Sequence, residues 1–207
     1  MANGRKPDSI FIHSKRQQAM EQNIERLGKI FREMVENYNS FGDIWKNIPL
    51  AKEAFAIMLS LPDALEGEFD TPQEKAGLLS QMLDQMEETL TPRFCLEVRR
   101  YMQGLDASDE DNSREIEMLQ DYINLSLTME EYCSRYRKLL KFDPVERTEK
   151  WEESIYEVEA ECAEILKNEP KGMGSCFGYW STKAAVLSRH GISWKSPSMM
   201  NPGVMFD

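Results

Sequence analysis

The sequence predicts an all-α protein, and three observations carry that reading. Apolar side chains recur at spacings of three and four along most of the 207 residues, which places them on one face of a helix. Three segments open on Thr or Asp with Glu three residues later: Thr71 to Glu74, Thr128 to Glu131 and Asp143 to Glu146. That is the shape of a capping box, in which hydroxyl or carboxylate and Glu each accept from the other's backbone amide. No alternating strand pattern and no Asn-Gly hairpin accompany them. The expected architecture is about seven helices in an antiparallel, bundle-like domain, with an irregular C-terminal strap packed on the helices.

Residues 1–12 read as a flexible lead, with Gly4 and Pro7. Residues 13–207 read as one helical domain, divisible into 13–104 and 113–207 at the acidic stretch "GLDASDEDNS". The first helix carries Met20, Ile24, Leu27, Phe31, Met34 and Tyr38 and stops in "NYNSFG". After a short turn at residues 42–47, a second runs from Pro49 to about Leu61, with Pro in its first turn. "DALEGEFD" is an acidic loop. Thr71 caps a helix with Leu79, Met82, Met86 and Leu90, and Thr91 begins another that ends at Gly104.

Beyond the acidic break, Ile116, Leu119, Ile123 and Leu127 continue at helical spacing, and Thr128 marks a restart through Tyr132, Tyr136, Leu139 and Leu140. Asp143, with Pro144 behind it, opens the helix of Trp151, Ile155, Val158, Cys162 and Ile165. The last helix places Phe177, Trp180, Ala184 and Leu187 on one face, with Arg189 and His190 in its final turn, where positive charge suits the dipole. Gly191 follows as a left-handed stop.

The chain then ends in "GISWKSPSMMNPGVMFD". Ile192 and Trp194 are placed to fold back on the helix just left. Ser196 and Pro197 can start one short turn, and "NPG" is a turn before "VMF". Exposed, Trp194, Met199, Met200, Val204 and Phe206 would forgo roughly 1.5–3 kcal/mol each if fully buriable. The strap is therefore expected to pack on its own chain. The competing reading makes Trp194, Met199, Met200 and Phe206 a partner-facing surface.

Composition excludes several functions. With 41% hydrophobic residues the chain builds a core, and a net charge of -11 opposes a general nucleic-acid footprint. No apolar run approaches the roughly 20 residues of a membrane helix, and the polar, basic N-terminus has no signal-peptide pattern. Cys95, Cys133, Cys162 and Cys176 form no Cys-x-x-Cys pair and read as unpaired thiols of a reducing compartment. With only His13 and His190, neither a metal site nor a nucleophile–base pair is expected.

Glu153, Glu157, Glu161 and Glu164 line a solvated helix face. Cys176 near a helix start could be activated, but its aromatic neighbours favour burial. "GMGSCFG" lacks the preceding strand of a phosphate cradle. One basic patch, Arg135, Arg137, Lys138 and Lys141 among Tyr132 and Tyr136, has the composition of a nucleic-acid contact. The expectation is a non-enzymatic cytoplasmic protein acting through a protein partner or self-association, with no cofactor. The alternatives are a nucleic-acid-associated protein using that patch, or a helical enzyme or small-molecule binder whose site is not visible as a motif.

Overall fold

A computed structural model describes residues 8–40, 42–169, 172 and 174–206, with side chains described from Gln17 onward. About 69% of the chain is helical and no strand occurs among the described residues, so the protein is all-α. It has nine helices there rather than about seven, because Glu110–Ile123 and Met129–Arg135 are separate helices and Pro197–Met200 forms a short one in the strap. The chain divides into two compact units, Met1–Gln85 and Met86–Asp207. The acidic stretch after Gly104 lies inside the second unit, where Asp109 caps the next helix by accepting from the Asn112 amide.

The first unit holds α1 (Asp8–Asn39), a single 3-10 turn (Ile44–Lys46), α2 (Asn47–Ser60) and α3 (Pro72–Asp84). α1 begins at Asp8, so the end of the expected flexible lead is helical, and residues 1–7 lie outside the described residues. Leu27, Ile30 and Met34 face the core with Ala51, Ala54, Phe55 and Met58 of α2 and Leu79, Met82 and Leu83 of α3. Tyr38, expected on the inner face, is half exposed.

Two buried polar side chains fix this unit. Asn47 donates to the carbonyls of Met34 and Gln85 and accepts from Asn37. Lys75 donates to the Leu61 carbonyl at the end of α2 and to Asp63. The acidic loop closes on itself through paired Leu65–Phe69 backbone bonds around Gly67, whose φ of 82° suits glycine. That closure seats Phe69 in the core. Thr71 accepts from the Glu74 amide as expected, while Glu74 returns to the Asp70 amide.

The second unit holds α4 (Pro92–Leu105), α5 (Glu110–Ile123), α6 (Met129–Arg135), a 3-10 turn (Pro144–Arg147), α7 (Glu149–Leu166), α8 (Ser175–Arg189) and α9 (Pro197–Met200). α4 pairs with α5, and α7 with α8. Thr128 and Glu131 form a complete capping box at α6. Asp143 caps only the 3-10 turn, and Thr148 starts α7 by accepting from the Trp151 amide. Glu152 of α7 accepts the first amides of α4, from Arg93 and Phe94. Arg147 is buried and donates to four carbonyls, of Tyr122, Leu127, Asp121 and Asn124, satisfying the end of α5 and the turn behind it. Beside it Tyr122, Tyr132 and Phe142 make an aromatic cluster.

Candidate interaction surface

α8 ends as the sequence predicts. Gly191 is left-handed at φ 69°, with Ile192 N–H bonded to the Leu187 carbonyl and Gly191 N–H to that of Ser188. This Schellman geometry returns the chain onto the helices, and Ile192 is buried. The strap follows residues 141–150 through polar bonds. Lys150 Nζ donates to the Gly191 carbonyl at 2.7 Å, Trp194 Nε1 to Glu146 at 2.7 Å, and the Lys195 amide to Asp143 Oδ2 at 2.7 Å. Ser196 caps α9 by accepting from the Met199 amide. Asn201 then grips both backbone groups of Lys141, accepting from its amide at 2.9 Å and donating to its carbonyl at 2.7 Å.

Beneath the strap lies a buried charged cluster that no local pattern marks. Lys183 pairs with Glu159 at 2.6 Å, and Tyr179 donates its hydroxyl to the same carboxylate. The Lys183 ammonium sits 5.0, 5.5 and 5.6 Å from the ring centres of Trp151, Tyr179 and Trp194, within cation–π range. Trp194 is thus one wall of a cage already filled by the chain's own lysine. Phe206 stands edge-on to Trp180 at 5.2 Å.

The four tail residues therefore separate. Trp194, Met200 and Phe206 are half-buried, while Met199 is 65% exposed.

The basic patch separates too. Arg135 is ion-paired with Asp121, which also accepts the Tyr136 hydroxyl at 2.8 Å. Burial works against that carboxylate, but these two donors outweigh it and hold it below the usual range. Lys141 pairs with Glu130 at 2.9 Å, and the bond holds Glu130 below its ordinary range. Tyr132 is buried. Arg137 and Lys138 remain exposed, with no ion pair among the described residues.

They lead into the most exposed apolar side chains of the segment. α6 stops at Arg135 rather than continuing to Leu140, because Arg137 turns left-handed (φ 51°) and the Lys138 amide closes on the Cys133 carbonyl. Arg137 is the one non-glycine among the described residues with positive φ. Leu139 is then 97% exposed and Leu140 41%, and Asn201, two residues after exposed Met199, is bonded to Lys141, the residue that follows Leu140.

Elsewhere the surface is quieter. Glu161 pairs with Arg189 and His190, and Glu164 with Lys167, while Glu153 and Glu157 are exposed. Cys95, Cys133 and Cys162 are buried, and Cys176 is half-buried. Burial pushes the Cys95 thiol up to about 12 and the Cys162 thiol up to about 11, so both stay protonated at neutral pH. Of two open grooves, one of about 340 Å³ beside Ala184, Ser188 and Trp194 is lined by no ionisable side chain, and one of about 410 Å³ beside Phe31, Val35 and Gln81 is lined by a single Arg and a single Glu, Arg32 and Glu36. Among the described residues no group of three His, Cys, Asp or Glu could hold a metal, and no helix is long and apolar enough to cross a membrane.

No protein-family model matches the chain, and no curated protein or solved structure matches it either.

Proposed function

We propose that this is a non-enzymatic cytoplasmic protein that works by binding another protein through the surface of Leu139, Leu140 and Met199. One observation carries the reading: Leu139 is almost fully exposed on a backbone that is pinned rather than loose. The Schellman closure at Arg137, the capping box of α6 and the Asn201 grip all hold this loop. A fixed, solvated apolar side chain gains its burial energy only when something covers it. The buried thiols of Cys95, Cys133 and Cys162 suit a reducing compartment, and the net charge of -11 opposes self-association, so a different protein is the favoured partner.

The test uses the tagged full chain in cells that make it, comparing wild type with Leu139→Asp and Met199→Asp. The expected result is a discrete co-purifying protein, lost in both variants while the melting temperature holds. A co-purifying set identical in all three, or none in wild type, contradicts the reading.

A further inference from the structure

We propose that the partner presents an acidic amphipathic helix to this surface; the inference rests on the interaction reading above and adds the partner's chemistry. The loop offers two leucines flanked by Arg137 and Lys138, neither of which is ion-paired among the described residues. The strap adds a third exposed cation, Lys195, whose backbone amide is tied to Asp143, two residues beyond Lys141. Arg135 and Lys141, by contrast, are consumed by Asp121 and Glu130. In a chain of net charge -11, unpaired Arg137 and Lys138 beside exposed Leu139 and Leu140, with exposed Lys195 on the strap, are a local reversal of sign.

Like-charge juxtaposition rejects wrong partners at a rim, so these cations select against basic segments and for carboxylates. An amphipathic helix supplies carboxylates and an apolar stripe together. Charges beyond a Debye length of about 8 Å are largely screened at physiological salt, so helix carboxylates set beside Arg137 and Lys138 feel those two cations more than the acidic groups elsewhere on the chain. An anionic bilayer is a plane and would meet whatever acidic groups share that face. A nucleic acid would need open aromatic faces or more phosphate contacts than three cations provide, and Tyr132 is buried.

The experiment is a fluorescence-anisotropy titration of the full chain with two synthetic probes. One is an amphipathic helix of about 18 residues with leucines at helical spacing and glutamates elsewhere, long enough to hold a helix. The other is its twin with lysine in place of every glutamate. A small surface of this kind is expected to bind in the micromolar range, with the acidic probe at least roughly tenfold tighter and weakened by added salt. Lys138→Glu should weaken the acidic probe by about tenfold, and Leu139→Asp should abolish its binding while leaving the melting temperature unchanged. Leu139→Ser provides a second, uncharged loss of the anchor.

Equal binding of the two probes, or acidic binding that survives both Leu139 variants, overturns the proposal. So does binding to phosphatidylserine vesicles in place of the peptide. If a cellular protein is still lost on Leu139→Asp while the acidic probe fails to bind, the interaction surface stands and the acidic partner falls.

Discussion

Arg137 holds a left-handed conformation that costs an L-residue roughly 1–2 kcal/mol. A glycine would adopt it freely, yet the chain places a cation there, next to two exposed leucines. Other residues are fixed by burial. Lys183 and Glu159 are each less than a tenth exposed as side chains, so neutralising one leaves the other charged and uncompensated. Glu159→Gln should destabilise the protein by about 3 kcal/mol, read by urea unfolding, whereas the same change at exposed Glu153 should do little. Burial raises the Glu146 carboxyl above its ordinary value, against the bond from the Trp194 indole. A raised carboxyl gives stability that is complete below its unfolded value and fades as pH rises through the folded one. Glu146→Gln keeps an acceptor for the indole. Relative to wild type it should therefore gain stability as pH rises from about 4.5 to 7, measured by thermal melts across that range.

At the scale of elements, local capping chemistry was legible and its limits were physical. Thr71, Thr128, Ser196 and Gly191 act within a few residues of themselves, and each stands where the sequence placed it. The stop of α6 was missed because its left-handed residue is an arginine and carries no glycine signal. The start of α7 was misplaced because Asp143 and Thr148 are both competent caps, and the intervening turn resolved as 3-10.

The strap was expected to pack on its own chain. Its route is as polar as it is apolar, with Ile192 buried and Met205 90% exposed. Truncation after Lys195 removes α9, the Asn201 grip and the Phe206–Trp180 contact. It should lower the melting temperature and leave residues 137–141 cleavable by trypsin. Unchanged melting and unchanged protection would show that the grip does not order the loop.

Across the whole molecule, the helical class was readable because apolar period and absence of alternation are properties of every segment. The placement of the unit boundary was not. The polar stretch after Gly104 looks like a linker, but Asn112 on its far side bonds to both Arg99 and Gln103 on its near side. Ties between distant residues, such as Asn47 to Gln85, Arg147 to the carbonyls of α5 and Lys183 to Glu159, have no signature in spacing. The candidate surface is half legible in the sequence: Arg137, Lys138 and Met199 stand out by charge and composition, while Leu139 falls on a helical stripe and nothing local marks the closure of Trp194 on Lys183. Because Met86–Asp207 contains its own core and caps, that fragment should fold alone, with a cooperative melt and helical circular dichroism. A non-cooperative melt would make the division one of contacts only.

The surface itself is tested most directly by a photo-crosslinking side chain placed at Leu139 of the full chain in its own cells, with Glu153 as the control site. The account predicts adducts with one or a few discrete proteins at position 139, competed away by unlabelled wild type and absent at position 153. The absence of adducts at 139, or equal labelling at both positions, would contradict it.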